Sequence, residues 1–298
     1  MTLKEQLIKI SPQTLFDEPM KNHTTFRIGG NADMFVSVEN VDELKRLVKL
    51  AKSEKIPFTV IGNGSNLLVR DNGIRGLVIE IGPGLSECVI DGTKIVAYAG
   101  IKLSKLANEA ARASLTGLEE ISGIPGTLGG AIYMNAGAYG GEISKVIKRV
   151  DYIDDNGESG FLEGADCDFG YRKSAFSGGG KYIVSAVLGL DYGDKDLINE
   201  KMADYTKRRQ TKQPLSYPSA GSTFKRPEGH FAGQLIEEAG LKGFRVGDAM
   251  ISELHAGFVI NCKNATASDV LGVIEHTKET VLARFGVELE PEVRIIGE

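Results

Sequence analysis

Residues 121–141 read Ile-Ser-Gly-Ile-Pro-Gly-Thr-Leu-Gly-Gly-Ala-Ile-Tyr-Met-Asn-Ala-Gly-Ala-Tyr-Gly-Gly, with seven glycines and no charged residue. Glycine weakens both helices and strands, so its repeated use needs a reason, such as close approach of the backbone to a large group. A neutral surface rich in backbone N–H donors suits a flavin ring and its pyrophosphate. A long surface loop is the alternative, but such loops usually carry Asp, Lys, Glu or Ser. The stretch therefore predicts a cofactor-binding segment and not a packed core helix.

A second glycine-rich motif, Gly-Asn-Gly-Ser-Asn-Leu-Leu-Val, lies at 62–69 directly after the apolar run Phe58–Ile61. It begins like the dinucleotide fingerprint of Rossmann folds, but Leu67 stands where the third glycine belongs and no helix start follows. Two interpretations remain open, a tight loop whose N–H groups hold a pyrophosphate and a plain turn. No Walker sequence is present, so ATP-driven chemistry has no support in the sequence.

Composition limits the class of protein. The chain has 298 residues, of which 42% are hydrophobic and 25% charged, enough for a sizeable core. Its net charge of −5 argues against general nucleic-acid binding, which needs a basic surface. The sequence shows no membrane-spanning run and no signal-peptide pattern. Three scattered cysteines and four histidines without ligand spacing predict no disulfide, no metal site and a cytoplasmic location.

Hydrophobic periodicity predicts an α+β fold without strict βαβ alternation. A capping box of Asn40 and Glu43 is expected to begin one helix, and Asp91–Lys94 to form a hairpin loop. Pro214 and Pro218 interrupt the pattern, so a domain boundary is expected within 200–220. The other expected helices cover 103–110, 194–212, 231–239 and 267–285. The expected strands cover 56–61, 77–81, 88–90, 95–99, 146–153, 160–162, 182–190, 256–261 and 288–296.

Residues 205–227 contain six lysines and arginines and no acid. Lys207–Arg209 are expected to complement a helix C-terminus. Lys225 and Arg226 differ because they follow a small-residue turn that ends at Ser222. A serine in such a turn is either a structural residue or a catalytic one, and the sequence pattern leaves both interpretations open.

Two further short motifs are weak by themselves. Tyr-Arg-Lys-Ser at 171–174 includes Arg172, which is either a surface arginine or a ligand-binding cation. Leu-Glu-Pro-Glu-Val-Arg at 289–294 includes Glu292, which is either a solvated strand residue or a functional acid. Spacing alone assigns no role to either residue.

Taken together, the motifs resemble those of the UDP-N-acetylenolpyruvoylglucosamine reductase family, over the chain from about Asn22 to its C-terminus. Five motifs in the family's order are hard to reach by chance. They are GNGSNLLV at 62–69, SGIPGTLGGAIYMNAGAYGGE at 122–142, YRKS at 171–174, AGSTFKRP at 220–227 and LEPEVR at 289–294.

The resemblance implies a fold and a cofactor. It implies an FAD-binding region of the vanillyl-alcohol-oxidase type, built from two α+β subdomains within 1–205. A smaller α+β substrate domain is implied for 206–298. Covalent members of the wider fold carry a histidine in the flavin loops, which this chain lacks, so FAD is expected to be non-covalent. The short interval between Arg172 and Ser222 resembles the shorter type II form of the family, which leaves open what covers the bound substrate.

The resemblance also implies a reaction and residue roles. NADPH reduces FAD, which in turn reduces UDP-N-acetylglucosamine enolpyruvate to UDP-N-acetylmuramate for peptidoglycan. Arg172 would bind the enolpyruvyl carboxylate, a protonated Glu292 would hydrogen-bond its second oxygen, and Ser222 would protonate carbon. The implied substrate contacts are Tyr171, Lys225 and Gln234. The implied FAD contacts are Gly62, Asn63, Gly64, Ser65, Asn66, Leu67, Ile124, Pro125, Gly126, Gly129, Asn135, Ala136 and Gly137.

Two other functions remain possible at this point. A different flavin oxidoreductase on the same fold, such as an oxidase of sugars or hydroxy acids, would share both glycine-rich loops but not the motifs of Ser222 and Glu292. A non-catalytic nucleotide-sugar-binding protein would need no flavin loops. A yellow colour on purification would exclude the second alternative.

Overall fold

The computed structural model describes residues Met1–Glu298 and contains seven α-helices and eighteen strands. The helices are α1 Leu3–Ile10, α2 Val41–Ser53, α3 Leu103–Arg112, α4 Leu128–Tyr133, α5 Lys195–Lys212, α6 Ala232–Glu238 and α7 Ala267–Phe285. The strands of the N-terminal half are β1 Leu15–Pro19, β2 Asn31–Ser37, β3 Phe58–Ile61, β4 Leu67–Val69, β5 Ile74–Glu80, β6 Cys88–Asp91, β7 Lys94–Tyr98, β8 Leu115–Thr116, β9 Gly137–Ala138 and β10 Gly141–Glu142. The remaining strands are β11 Ile147–Asp154, β12 Ser159–Glu163, β13 Lys181–Gly189, β14 Asp191–Tyr192, β15 Arg245–Val246, β16 Ala249–Ile251, β17 Val259–Asn261 and β18 Arg294–Ile296.

Two larger sheets dominate the first two-thirds of the chain. The four-stranded sheet has the order β1-β2-β5-β3, with β3 and β5 parallel. The five-stranded sheet has the order β12-β11-β13-β7-β6 and is antiparallel throughout. Helices α2 and α3 bury one apolar face each, as their spacing predicts. These features confirm the predicted α+β class.

The chain divides into two units, each with its own buried apolar core. The first unit comprises Met1–Phe16, Met34–Asn63 and Gly76–Lys207. The second comprises Asp17–Asp33, Gly64–Arg75 and Arg208–Glu298. The core of the second unit therefore includes side chains from the N-terminal part of the chain, namely Phe26, Ile28 and Leu68.

Several local predictions are confirmed, with two differences at turns. The predicted helices at 194–212 and 267–285 are α5 and α7. Asn40 accepts the Glu43 N–H as a cap, but the Glu43 carboxylate accepts the N–H of Glu39 and not that of Asn40, so no capping box closes. The hairpin loop contains only Gly92 and Thr93, because the residues flanking them pair across the strands.

Two predicted strands are shorter than expected. Strand β17 begins at Val259, because a turn closed by a hydrogen bond from Phe258 N–H to the His255 carbonyl precedes it. Strand β18 begins at Arg294, because Pro291 has no N–H to donate to a ladder and forms only an isolated bridge with Phe224.

The expectation that the glycine-rich stretch excludes a packed helix is wrong for its centre. Helix α4 lies there and buries Leu128, Ala131 and Ile132. Gly129 permits this packing, since a Cβ atom at its position would lie 2.9 Å from the Ala99 Cβ. Leu128, Ala131 and Ile132 are therefore core residues, and Gly129 lets the helix approach Ala99, which directly follows strand β7.

An aspartate outside α7 caps this helix in the second unit. The Asp71 carboxylate accepts the N–H groups of Ala267 at 2.7 Å and Ser268 at 2.9 Å, and the Ser268 hydroxyl at 2.5 Å. Burial raises the pKa of Asp71, but the hydrogen bonds from Ser268 and Ala267 outweigh it and hold the pKa below its ordinary value of 3.8. The ionised carboxylate is therefore the form that stabilises the fold.

We expect Asp71→Ala to lower the free energy of unfolding by about 1–2 kcal/mol near neutral pH, because alanine removes the acceptor of both backbone N–H groups. Because the folded pKa is depressed, this stabilisation is complete above the ordinary pKa and is lost as the pH falls through the folded value. Denaturant unfolding of parent and variant at several pH values measures the difference. Equal stabilities at pH 7 would show that Asp71 is not a cap.

Candidate active site

The loop after β3 presents a run of backbone donors. The amide N–H groups of Gly62, Asn63, Gly64, Ser65 and Asn66 donate to no protein acceptor. Gly64 has φ +61°, and a Cβ atom there would lie 2.1 Å from the His23 carbonyl oxygen. Consecutive bare N–H groups form an anion-binding concavity. This loop therefore fits a pyrophosphate, one of the two interpretations that its sequence leaves open.

The two predicted cofactor segments contact each other within the first unit. The Asn63 side-chain amide donates to the Pro125 carbonyl at 2.6 Å. A Cβ atom at Gly62 would lie 2.5 Å from the Thr127 Oγ1, so glycine is needed for the approach. The amides of Gly123 and Gly126 also donate to no protein acceptor. The structure thus brings together donors from two glycine-rich segments, the donor set that a flavin cofactor requires.

Glu119, a buried acid that the sequence did not indicate as important, holds the turn before the glycine-rich stretch 121–141. Glu119 accepts the Thr116 hydroxyl at 2.6 Å and the Gly117 N–H at 2.7 Å, and its carbonyl accepts the Ser122 hydroxyl at 2.7 Å. Burial raises the pKa of Glu119, but the hydrogen bonds from Thr116 and Gly117 outweigh it, and the pKa lies below its ordinary value. Glu119 therefore remains charged and fixes the turn that precedes the segment.

The C-terminal part of the glycine-rich stretch is held by its own hydrogen bonds. Asn135 is buried and has φ +42°, and both its side-chain nitrogen and its oxygen have protein partners. Gly137 pairs with Glu142 in the ladder of β9 and β10. Ile124 and Ala136 are half-buried against the core of the first unit. A cofactor contact in this part would use backbone groups.

Arg172 lies at the tip of a tight turn in the first unit. Gly170 and Lys173 exchange two backbone hydrogen bonds, at 3.0 and 3.3 Å, which leave Tyr171 and Arg172 as the central residues. Arg172 has φ +54°, an uncommon conformation for a residue other than glycine. Its guanidinium carbon lies 5.1 Å from the centre of the Tyr171 ring, within the range of a cation–π contact.

Ser222 and Glu292 lie on neighbouring segments of the second unit. The carbonyl of Thr223, which follows Ser222, accepts the Glu292 N–H at 2.8 Å. The Asn66 side-chain amide donates to the Glu292 carbonyl at 3.1 Å, so Asn66 is tied to the same segment. Ser222 is exposed and follows Gly221, which has φ +78°. The structure therefore brings Ser222, Glu292 and Asn66 together.

Thr223 is a positioning residue that the sequence did not indicate. Its N–H donates to the Gly257 carbonyl at 2.8 Å and its buried hydroxyl accepts the Val259 N–H at 2.9 Å. The His255 Nδ1 accepts the Gly257 N–H at 3.1 Å, and burial lowers the pKa of His255. A neutral imidazole is the form that can accept this hydrogen bond.

The predicted substrate contacts of the second unit have different surroundings. The Lys225 side chain is ion-paired with the Glu290 carboxylate, and the backbone N–H of Lys225 donates to the Glu290 carbonyl at 2.8 Å. Gln234 is exposed on α6 and donates to Glu238 at 2.8 Å. Lys225 shares the chain segment of Ser222, whereas Gln234 lies on a separate element.

The structure contains no cluster of three or more side chains able to hold a metal ion, and its three cysteines are free thiols. None of its helices is both long and apolar enough to cross a membrane.

We expect Gly62→Ala to weaken FAD binding by about tenfold or more, since its methyl group would push the two cofactor segments apart at a cost of ~1–3 kcal/mol. Thr127→Ala provides a matched second variant, because it removes the Oγ1 that the new methyl group meets and leaves Cβ at 3.7 Å. The Thr127 side chain makes no capping hydrogen bond to α4, so its loss disturbs the helix little.

Fluorescence titration of the apoprotein with FAD measures the effect. The double variant Gly62→Ala/Thr127→Ala should recover part of the lost affinity. An unchanged affinity of Gly62→Ala would show that contact between the segments is not required for the cofactor.

Two family models match this chain. A model described as an FAD binding domain matches residues 32–159, and one described as the C-terminal domain of UDP-N-acetylenolpyruvoylglucosamine reductase matches residues 213–296. The FAD-binding match supports a flavoprotein over a nucleotide-sugar-binding protein without flavin.

Curated relatives extend over nearly the whole chain. The UDP-N-acetylenolpyruvoylglucosamine reductase of Alkaliphilus oremlandii is 52% identical over 294 residues, which cover 98% of this chain and 97% of the relative. That of Caldanaerobacter subterraneus is 50% identical over 282 residues, with 95% and 93% covered. Both relatives are reductases of one kind and not oxidases of sugars or hydroxy acids.

Solved structures agree with this relationship. The crystal structure of UDP-N-acetylenolpyruvylglucosamine reductase from Thermus caldophilus matches with a TM-score of 0.82 and 37% identity, covering 96% of this chain and 98% of that one. A structure of alkyldihydroxyacetonephosphate synthase matches 64% of this chain and 41% of its own at 16% identity and a TM-score of 0.50, a likeness of fold alone. The matches confirm a two-subdomain FAD-binding region with a C-terminal domain, and FAD as the cofactor. The chain therefore belongs to the UDP-N-acetylenolpyruvoylglucosamine reductase family of FAD-dependent oxidoreductases.

Proposed function

We propose that this protein reduces UDP-N-acetylglucosamine enolpyruvate to UDP-N-acetylmuramate with NADPH, as a cytoplasmic step of peptidoglycan precursor synthesis. The observation that carries the proposal is the pairing of the Ser222 and Glu292 segments, in a chain whose relatives bear the name of this reductase. The free thiols accord with a reducing compartment.

Non-covalently bound FAD supplies the hydride chemistry, from NADPH to the outer carbon of the enolpyruvyl double bond. The backbone amides of Gly62–Asn66 and of Gly123 and Gly126 would hold the cofactor, since they have no other acceptor. The protein must then stabilise negative charge on the substrate carboxylate and deliver a proton to the carbon that bears it.

Arg172 is proposed to hold the substrate carboxylate. Its planar guanidinium can donate two parallel hydrogen bonds to one carboxylate, and it keeps its charge at any physiological pH. The two-residue turn fixes the backbone of Arg172, so little further ordering is needed when substrate binds. Tyr171, a residue that is 52% exposed, is proposed as a neighbouring substrate contact.

Ser222 is proposed as the proton donor to carbon. A hydroxyl is a weak acid in water, but the carbanion-like intermediate is strongly basic and the Lys225 ammonium follows in the same segment. The exposed position of Ser222 leaves its hydroxyl accessible to a ligand. The Ser222 side-chain oxygen regains its proton from solvent after the product leaves.

Glu292 is proposed to hydrogen-bond the second oxygen of the same carboxylate while it carries a proton. It is half-buried, and its backbone is fixed on both sides by Thr223 and Asn66. Lys225 and Gln234 are proposed as substrate contacts. For either residue this role requires exchange of an acidic partner, Glu290 or Glu238, for the substrate.

We expect Arg172→Lys to slow the substrate-reduction step by ~10²-fold or more, the scale of losing a donor to developing negative charge. Lysine keeps the charge but not the planar pair of donors. Reduction of the flavin by NADPH should change far less. Anaerobic stopped-flow absorbance separates the two half-reactions, and equal slowing of both would contradict a specific role at the carboxylate.

We expect Ser222→Ala to leave flavin reduction near the parent rate and to abolish or greatly slow reoxidation by the enolpyruvyl UDP sugar. Only the second half-reaction needs a proton on carbon, and alanine removes the donor with little volume. Ser222→Cys should recover part of the activity, because a thiol is a stronger acid at nearly the same position.

Ser219→Ala is the matched control, since it removes a hydroxyl from the same turn. Its half-reactions should follow those of the parent. If Ser222→Ala reoxidises with substrate as fast as the parent, Ser222 is a structural residue and the proposed proton donor is wrong.

A further inference from the structure

Asn135 joins the glycine-rich segment to the turn that carries Arg172, two parts of the first unit that are 35 positions apart in sequence. Its side-chain nitrogen donates to the Gly170 carbonyl at 3.0 Å and to the Glu142 carboxylate at 3.1 Å. Its side-chain oxygen accepts the Ser144 N–H at 3.2 Å. Both amide hydrogens and the amide oxygen are thus engaged by the protein, and the residue is 2% exposed.

The conformation of Asn135 does not by itself explain why this residue is asparagine. Its φ of +42° is one that asparagine, aspartate and glycine all tolerate. Only asparagine among these can donate twice and accept once. Glu142 fixes the orientation of the amide, because its carboxylate can only accept and must therefore face the nitrogen.

Gly170 is the first residue of the Arg172 turn, and its carbonyl accepts two hydrogen bonds. One comes from the Lys173 N–H, which closes the turn, and the other from Asn135. A second tie joins the same parts of the chain, since the buried Ser174 hydroxyl donates to the Tyr133 carbonyl at 2.9 Å. The turn is therefore anchored at both of its ends to residues 133–135.

We propose that Asn135, oriented by Glu142, is a positioning residue that sets the backbone of the Tyr171–Arg172 turn, and so the Arg172 guanidinium, for the substrate carboxylate. This inference rests on the proposed role of Arg172 in substrate binding. It gives the Asn135 side chain a task in the second half-reaction, distinct from the contact with FAD that the family resemblance implies for this residue.

A pair of substitutions separates the two hydrogen bonds of the Asn135 nitrogen. In Asn135→Asp/Glu142→Gln, the new aspartate can still accept from Ser144 and from the side-chain amide introduced at position 142, so the local contacts persist. Only the Gly170 carbonyl loses a hydrogen bond, the one from the side chain at position 135, and it faces a carboxylate there instead. Its hydrogen bond from the Lys173 N–H remains. Glu142→Gln by itself measures the orienting role of Glu142, because the glutamine oxygen can still accept from Asn135 but its amide can also donate. Ser144→Ala is the control, since it removes a hydroxyl beside Glu142 and keeps the Ser144 N–H.

Three measurements on the FAD-loaded enzyme test the proposal. The double variant should bind FAD within about threefold of the parent and be reduced by NADPH at a near-normal rate. Its reoxidation by the enolpyruvyl UDP sugar should be slower by about tenfold or more, with a raised KM. Amide hydrogen exchange over residues 168–174 should be faster, Glu142→Gln should show a smaller effect than the double variant, and the Ser144→Ala control should resemble the parent.

Loss of FAD with equal slowing of both half-reactions would show that Asn135 supports the cofactor and would overturn the proposal. Parent-like reoxidation or unchanged exchange at 168–174 would overturn it as well. Combination with Arg172→Lys gives a further test. The slowing caused by the double variant should shrink in that background, and an undiminished effect would show that Asn135 acts independently of Arg172.

The same set of variants distinguishes failure of the proposed function. If Arg172→Lys alone reoxidises like the parent, Arg172 does not bind the carboxylate. Hydrogen exchange at 168–174, which does not depend on catalysis, then still decides whether Asn135 positions the turn.

Discussion

Backbone N–H groups without an acceptor in the protein are the constraint on which this structure depends. Five such groups follow one another from Gly62 to Asn66, and others lie at Gly123 and Gly126. A donor that is removed from water and left unpaired costs about 1–3 kcal/mol, so a ligand that covers these mostly half-buried residues must offer acceptors to them. Contacts of the Asn63 side chain with Pro125 and of Gly62 with Thr127 hold the two segments together, and their amide groups are the ones proposed to bind the family's cofactor.

Backbone strain is concentrated in one part of the first unit. Asn135, Tyr139, Asp168 and Arg172 all have positive φ although none is glycine. Such conformations persist only where the surroundings determine them, and the hydrogen bonds around Asn135 and Gly170 do so here. The hydrogen bonds of Asn135 to Gly170 and Glu142 thus hold the backbone of the Arg172 turn in this conformation. The conformation of this part of the chain is therefore sensitive to substitution, because few other residue types can make the same hydrogen bonds.

Much of the fold follows from local patterns, and the rest depends on distant pairings. Helices α5 and α7 were predictable because the helical spacing of their apolar residues and their flanking residues mark their bounds in the sequence. Helix α4 was not predictable, because its glycines obscure the helical pattern. Its packing against Ala99 is a tertiary contact that the local sequence does not indicate. The sequence also did not predict that Phe26 and Leu68 belong to the core of the second unit. No pattern in the residues around them indicates packing against residues after 208.

The candidate site shows the same division between residue type and residue placement. Chemistry-bearing residues such as Ser222 and Glu292 could be identified by resemblance, but the groups that place them are common residues with ordinary local patterns. Thr223 places Ser222 beside Glu292 through its backbone, and its own position depends on Gly257 and Val259. A backbone carbonyl or N–H carries no signature in sequence, so a site assembled through such groups becomes visible only when the pairing of segments is known. Residues that position a site in this way are therefore the ones that a structure adds to what a motif provides.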